Sequence, residues 1–185
     1  VQTCALPILL NQDDPETWNL REKVQGDLVV FGSQRASEDQ NGVYLGYYRD
    51  AIFVHASNME TDDKFEVLTR SEIPLRGDHN LLNVLAACAI SLAAGISLNA
   101  MRTGVRNFTG ISHRLEFVRT WRGADWYNDS IATAPERAIA AVKSFSEPMI
   151  LLAGGRDKNL PWDQFASLVN QQVKHRSEEH TSELQ

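Results

Sequence analysis

The apolar run from Leu81 to Ile96 constrains the fold of this chain more than any other feature. It is shorter than the roughly 20 residues that a membrane-spanning helix needs. Because apolar residues surround most of it, the run predicts a buried helix from about His79 to Ala94 that other elements must cover on several sides. Asp78 is the expected N-cap, and Gly95 is the residue expected to end the helix.

The segments around this helix alternate between strand and helix patterns. Upstream, a buried strand and three shorter strands predict a small antiparallel or mixed sheet. Downstream, after a predicted domain boundary at Gly110–His113, strands alternate with helices, which favours an α/β fold with a parallel sheet. The predicted strands are Asp27–Phe31, Gly42–Tyr48, Ala51–His55, Phe65–Leu68, Leu115–Thr120, Ala124–Tyr127 and Met149–Ala153, and the further helices are Ser97–Phe108, Pro135–Phe145 and Pro161–Val173.

The composition is that of an ordinary soluble protein and excludes several classes. The net charge of −6 and the lack of a Lys/Arg cluster argue against nucleic-acid binding. No signal peptide or membrane span is visible, so a cytoplasmic protein is expected. Cys4 and Cys88 lack the spacing of a metal site, and Cys88 is expected to be a buried free thiol.

Both ends of the chain resemble a translated sequencing adapter. The codons GTT CAG ACG TGT GCT CTT CCG ATC encode Val1–Ile8, and their reverse complement with one A in front encodes Arg176–Glu183. Unrelated protein ends would rarely satisfy this relation, although a genuine strand at the start and a polar helix at the end are the alternative. Residues 1–8 and 176–185 are therefore expected to be non-native, and the native segment is expected to run from Leu9 to His175.

The entry to the apolar helix carries two amides on one face. Asn80 and Asn83 are three residues apart, next to free backbone N–H groups and the positive end of the helix dipole. This arrangement suits an anionic or polar ligand. The alternative is that both amides satisfy buried backbone groups at the helix entry.

Polar residues also follow a predicted strand at Asn128–Glu136, the strand edge where α/β folds place ligands. Asp129 can accept a hydrogen bond from a ribose or an adenine amine, it can hold a metal-bound water, or it can form an Asx-turn. Thr133 and Glu136 match a capping box, so Thr133 either caps a helix or binds a carboxylate at the same helix N-terminus.

Two further candidate binding residues are cationic. Arg114 lies at the predicted domain junction, where it can bind a phosphate or form a surface pair with Glu116. Lys158 follows Gly154-Gly155 after an apolar strand, where it can bind a carboxylate or phosphate or belong to a charged turn. No Walker P-loop motif occurs in the chain.

In this order and spacing, the motifs resemble those of the Mur ligase family. The matching segments are GDHNLLNVLAACAISLAAGI, the pair His113-Arg114, Asn128–Thr133 and Gly154–Lys158. The resemblance covers residues 9–175 and is greatest to the D-glutamate-adding members. It implies the last part of a central ATPase domain, residues 9–111, followed by the first half of a Rossmann-like C-terminal domain, residues 112–175.

The resemblance also implies a role for each matched position. Two cofactors, ATP and Mg²⁺, are implied, with no metal ligand in this part of the enzyme. His113 would support the hinge between the domains. The implied ATP-binding residues are Asn11, Asn80, Asn83, Arg114 and Asp129, and the residues implied to bind D-glutamate are Thr133 and Lys158. Ile131 departs from the pattern, because many members have a lysine there whose charge an isoleucine cannot replace.

The implied reaction joins D-glutamate to UDP-N-acetylmuramoyl-L-alanine in peptidoglycan synthesis. ATP phosphorylates the alanyl carboxylate, the amine attacks the acyl phosphate, and phosphate leaves. A monomer is expected, with no nucleic-acid or membrane partner. Because the P-loop and the UDP-binding domain are not in the chain, the chain alone is expected to be inactive. A sibling Mur or folylpolyglutamate-type ligase and a non-catalytic α/β binding module remain alternatives.

Overall fold

The computed structural model describes residues 6–34, 41–46, 51–55, 65–156 and 158–179. The chain divides into two compact units, residues 1–109 and residues 110–185. Each unit contains both strands and helices, so the α/β class expected from the sequence is confirmed.

The first unit contains a five-stranded mixed sheet. Its strands are adjacent in chain order, and β1 to β3 run parallel whereas β3 to β5 run antiparallel. The mixed sheet was predicted, whereas a strand at the start of the chain was considered only as the alternative to an adapter-derived end. Tyr47 and Tyr48, at the end of one predicted strand, lie outside the described residues. The strands are β1 (Ile8–Asn11), β2 (Leu28–Gly32), β3 (Asn41–Gly46), β4 (Ala51–His55) and β5 (Phe65–Thr69).

The apolar run forms helix α2 (Asp78–Ala93), which packs against β1, β2, β3 and β4. Leu85 and Cys88 from the helix lie in one buried cluster with Val43 and Ile52 from the sheet. The predicted buried helix is therefore confirmed, since the sheet supplies the apolar surface that it requires. The first unit also contains α1 (Pro15–Trp18), capped by Asp14, and α3 (Leu98–Asn107), capped by Ser97.

The two ends of α2 differ in how well they were predicted. The expectation that Asp78 is the N-cap is wrong, because Gly77, at φ 85°, is the N-cap and Asp78 is the first helical residue. The carbonyl of Gly77 already accepts from the N–H of Asn80. The expectation for Gly95 is confirmed: its φ is 70°, and its N–H donates to the Leu92 carbonyl at 3.0 Å in a Schellman motif.

Gly42 marks a close approach between β2 and β3. It is the register partner of Val30, and a Cβ atom at position 42 would lie 2.8 Å from Val30 Cγ2 and 2.9 Å from the Val30 carbonyl oxygen. Both distances are too short for a real side chain, so glycine is required at this point of the sheet.

The second unit begins with a hairpin of β6 (Glu116–Trp121) and β7 (Ala124–Asn128). Its two-residue turn, Arg122-Gly123, has positive φ angles of 51° and 76°, which suit the twist of a tight hairpin. Such a short connection can join antiparallel strands only. The single parallel sheet predicted after residue 110 is therefore wrong for these two strands, which form a separate antiparallel pair.

The remaining two strands of the second unit pair in parallel. Helices α4 (Pro135–Lys143) and α5 (Asp163–Gln172) contact each other, and β8 (Met149–Gly154) pairs in parallel with β9 (Val173–Glu179). β9 thus extends into Arg176–Glu179, which the sequence predicts to be adapter-derived. The side chains of Ile150 and Leu152 on β8 are largely exposed.

Candidate functional site

The two amides at the start of α2 bond to each other. Asn80 is buried, and its Nδ2 donates to the Arg76 carbonyl at 2.8 Å. Its Oδ1 accepts from Asn83 Nδ2 at 3.3 Å, and Asn83 itself is exposed. The amide of Asn80 therefore satisfies the backbone at the helix entry, as that alternative predicted, whereas the amide of Asn83 bonds to a side chain instead. The side-chain oxygen of Asn83 makes no hydrogen bond within the described part of the chain, so it can still accept one from a ligand.

The turn after β1 is tied to the end of β2. Asn11 Oδ1 accepts from the Asp13 N–H at 3.0 Å, which closes an Asx-turn. The Asp13 carboxylate accepts from the N–H of Ser33 at 2.6 Å and from its hydroxyl at 3.0 Å. Both residues follow the carboxyl ends of parallel strands, the edge at which such sheets bind ligands. The sequence did not single out Asp13 or Ser33, although their positions after two strands were a usable signal.

The segment before β6 has an unusual backbone. His113 and Leu115 have φ angles of 65° and 43°, a left-handed conformation that costs a non-glycine residue roughly 1–2 kcal/mol. The N–H of His113 donates to Glu116 Oε2 at 2.7 Å, and the N–H of Leu115 donates to Asp129 Oδ1 at 2.9 Å. Two carboxylates therefore hold the backbone on both sides of Arg114.

The side chain of Arg114 differs from that of its neighbours in having no partner. Arg114 is exposed and makes no side-chain hydrogen bond or ion pair among the residues that the structure describes. The surface pair of Arg114 with Glu116, considered from the sequence, is not formed, because Glu116 binds the His113 backbone instead. A free guanidinium on a fixed backbone is suited to an oxyanion such as phosphate.

His113 contacts the end of the neighbouring strand. Its Nδ1 lies 2.8 Å from Asn128 Nδ2, and its carbonyl accepts from the N–H of Ile131 at 3.2 Å. These contacts connect the start of the second unit to the loop after β7. The sequence suggested a supporting role for His113 but gave no indication of Asn128 as its partner.

The loop after β7 is folded by its own side chains and backbone. Asn128 Oδ1 accepts from the Ser130 N–H at 3.1 Å, so the Asx-turn considered for Asp129 is formed by Asn128. The half-buried carboxylate of Asp129 binds Leu115 through Oδ1, and no hydrogen bond is described for its Oδ2. One oxygen of Asp129 can therefore hold the protein while the other meets a ligand.

The capping box predicted for Thr133 and Glu136 is not formed. Ala134 is the N-cap of α4, without a side-chain cap, and Pro135 occupies the first helical position. The helix thus begins one residue later than a Thr133 cap requires, because proline is favoured at the first helical position. Thr133 is exposed, and its hydroxyl makes no hydrogen bond among the described residues.

The glycine pair after β8 opens into an exposed loop. Gly154 ends the strand, and Gly155 has φ 137°, a conformation that residues with a side chain rarely adopt. Lys158 is exposed, and its ammonium has no partner in the part of the chain that is described. Asp157 lies outside that part.

Titration and metal binding add two observations. Burial raises the pKa of the Cys88 thiol to about 11, which excludes it as a nucleophile near neutral pH. Among the described residues, no three His, Cys, Asp or Glu side chains are grouped so that they could hold a metal ion. The described residues thus form no metal site of their own, and no step is assigned to a metal here. None of the described helices is long and apolar enough to cross a membrane.

Comparison with known proteins gives matches in sequence and in fold. The chain is 41% identical over 168 residues to UDP-N-acetylmuramoylalanine--D-glutamate ligase of Symbiobacterium thermophilum, a match that covers 90% of this chain and 35% of that protein. It is 34% identical over 167 residues to the ligase of the same name from Caldanaerobacter subterraneus, with 90% and 34% covered. No protein-family model matches the chain.

Solved structures share the fold. MurF from Acinetobacter baumannii superposes with a TM-score of 0.59 at 18% identity, covering 93% of this chain and 38% of that chain. Folylpolyglutamate synthase from Thermotoga maritima superposes with a TM-score of 0.56 at 16% identity, covering 94% and 47%. At these identities the likeness concerns the fold alone.

In sequence, this chain is thus similar to ligases of the class whose motifs it resembles, and in fold it is similar to solved Mur ligases. Its sequence relatives within that class are the UDP-N-acetylmuramoylalanine--D-glutamate ligases. The chain spans about a third of the length of these curated relatives.

Proposed function

We propose that the protein to which this chain belongs is an ATP-dependent ligase that joins D-glutamate to UDP-N-acetylmuramoyl-L-alanine. The observation that carries the proposal is the similarity of nine tenths of the chain to ligases of that name. The described geometry supports it, because the exposed cations Arg114 and Lys158 have no protein partner among the described residues. Exposed cations without a protein partner are suited to anionic substrates.

The proposed reaction has two steps that balance without a redox partner. The alanyl carboxylate attacks the terminal phosphorus of ATP, which gives an acyl phosphate and ADP. The D-glutamate amine then attacks the acyl carbon, an amide forms, and inorganic phosphate leaves with loss of the amine proton. Charge accumulates on phosphoryl oxygens in the first step, so cationic side chains that are fixed in advance lower its barrier.

In this proposal, some of the candidate residues bind ATP and others bind D-glutamate. Arg114 binds ATP phosphates, and the free oxygen of Asp129 accepts from the adenosine. Asn11, Asn80 and Asn83 line the nucleotide site in the first unit, where Asn80 acts by orienting Asn83.

Thr133 and Lys158 bind the D-glutamate carboxylates, and His113 supports the segment that carries Arg114. Mg²⁺ would accompany ATP, held by residues other than those described here. A monomeric, cytoplasmic protein is part of the same proposal.

The test is a phosphate-release assay on the complete reading frame recovered from the source DNA. Phosphate release should require ATP, UDP-N-acetylmuramoyl-L-alanine and D-glutamate together. Release without a requirement for D-glutamate would refute the proposal. The main alternative, a folylpolyglutamate-type ligase, shares the fold and would show a requirement for a folate and L-glutamate instead.

A further inference from the structure

The backbone on either side of Arg114 is held by two carboxylates, one at the start of β6 and one in the loop after β7. Glu116 Oε2 accepts from the His113 N–H at 2.7 Å, and Asp129 Oδ1 accepts from the Leu115 N–H at 2.9 Å. His113 and Leu115 both have positive φ angles. Non-glycine residues keep this conformation only where their surroundings hold them in it. The direction in which the Arg114 side chain leaves the backbone therefore depends on these acceptors.

Glu116 is close enough in sequence to pair with Arg114 but does not do so. Its carboxylate binds the His113 N–H and lies 4.0 Å from His113 Nδ1. The guanidinium of Arg114 consequently has no anionic partner among the described residues. A carboxylate that shapes the backbone without neutralising the neighbouring cation leaves that cation available to an external phosphate.

We propose that Glu116 is a positioning residue for Arg114. By accepting from the His113 N–H, it fixes the segment 113–115 so that Arg114 meets the phosphates of the nucleotide. This inference rests on the proposed function to the extent that Arg114 binds ATP phosphates. Glu116 itself touches no substrate in this arrangement, and it is the acceptor oxygen of Glu116, not its charge, that matters.

The test compares Glu116→Ala with Glu116→Gln in the complete reading frame. Dissociation constants for ATP and for adenosine are measured by calorimetry, together with KM for ATP and for D-glutamate. Glu116→Ala should weaken ATP binding about tenfold, because small displacements of a binding group are costly. Adenosine binding and KM for D-glutamate should not change. Glu116→Gln should restore ATP binding, since its amide oxygen can still accept from the His113 N–H.

Two further variants separate positioning from a general structural effect. Asp125→Ala removes a carboxylate of the same hairpin that binds the Thr120 hydroxyl at 2.7 Å, and it should leave ATP affinity unchanged. In an Arg114→Ala background, Glu116→Ala should have no additional effect on ATP affinity, because residues that act through one another are not additive.

The outcomes distinguish this inference from the proposed function. ATP affinity that is unchanged in Glu116→Ala, or lost equally in the alanine and glutamine variants, overturns the positioning role. Full additivity of Glu116→Ala with Arg114→Ala overturns it as well. A wild-type protein that binds ATP but releases no phosphate in response to D-glutamate overturns the proposed reaction alone. A wild-type protein that does not bind ATP overturns both.

Discussion

The N–H of Leu115 donates to Asp129 Oδ1 across 2.9 Å, which joins the segment before β6 to the loop after β7. Leu115 is in a left-handed conformation, so this bond holds a backbone that would otherwise relax. The same carboxylate is proposed to accept from the adenosine of ATP through its other oxygen. Asp129 would then couple the conformation of the segment 113–115 to nucleotide binding.

This dual use of Asp129 can be tested by substitution. Asp129→Ala should raise KM for ATP at least tenfold, since a hydrogen bond to a charged group contributes about 1.5–3 kcal/mol. Asp129→Asn should be milder, because its amide oxygen can still accept from Leu115. Steady-state kinetics of the complete protein at varied ATP measures both values, with Asp125→Asn as a hairpin control. Equal KM values for the wild type and the alanine variant would contradict the proposed contact.

The ammonium of Lys158 is expected to bind a carboxylate of D-glutamate. Lys158→Ala should raise KM for D-glutamate about tenfold or more while KM for ATP stays near its wild-type value. Lys143→Ala is the matched control, because Lys143 is also exposed and lies in the last turn of α4. Initial rates at varied D-glutamate measure the difference. An increase confined to KM for ATP would assign Lys158 to the nucleotide instead.

The thiol of Cys88 should be unreactive in the folded chain. Its pKa of about 11 leaves about one thiolate in a thousand at pH 8, and the side chain is buried. In a Cys4→Ser background, labelling by an aromatic disulfide reagent should be slow in buffer and rapid in denaturant. Rapid labelling in buffer would show that the core between α2 and the sheet opens readily.

The bond between Glu72 and Arg106 should make the first unit sensitive to acid. The Thr69 backbone N–H and Arg106 lower the pKa of Glu72 below its usual value, so its stabilising effect is present above the unfolded pKa. It is lost as the pH falls through the lower, folded pKa. Urea unfolding between pH 7 and pH 3 should show a smaller acid-induced loss for Glu72→Gln than for the wild type. Glu66→Gln, an exposed change in β5, should leave the wild-type pH profile intact.

Two glycines with open surroundings should respond oppositely to alanine. No atom lies within 4 Å of a Cβ built at Gly95 or at Gly104, so space does not distinguish them. Gly95 has φ 70° at the end of α2, and alanine there should cost roughly 1–2 kcal/mol. Gly104 lies inside α3, and alanine there should stabilise by roughly 0.5–1 kcal/mol. Urea midpoints measure both, and a stabilising Gly95→Ala would contradict the Schellman motif.

The sequence predicted the elements of this fold well where the pattern was local. The apolar run of α2, the Ser97 start of α3 and the strand segments in the first unit required only periodicity and end signals. The sequence-based prediction was wrong where two neighbouring residues both suit the same capping position. Gly77 and Asp78 both suited the N-cap position of α2. The N-cap is Gly77, because its carbonyl accepts the first hydrogen bonds of the helix. Pro135 similarly moved the start of α4 beyond Thr133.

The candidate site was predicted less completely, because its contacts cross between strands. The motifs located Arg114 and Asp129, but no spacing rule shows that Asp129 binds the Leu115 N–H fourteen residues before it. The bond from the His113 N–H to Glu116 was missed, because the only contact considered for Glu116 was a surface pair with Arg114. The hydrogen bonds of Glu116 and Asp129 depend on the positive φ angles of His113 and Leu115. The sequence does not reveal a positive φ for residues other than glycine.

The close approach at Gly42 has a consequence for how reliably the sheet assembles. A slip of one residue between β2 and β3 would bring Asn41 or Val43 to the position opposite Val30, where a side chain meets both Val30 Cγ2 and its carbonyl. The native register is therefore expected to be favoured over a pairing that is shifted by one residue. Gly42 thus helps to set the register of β3, the strand that the parallel and antiparallel parts of the sheet share.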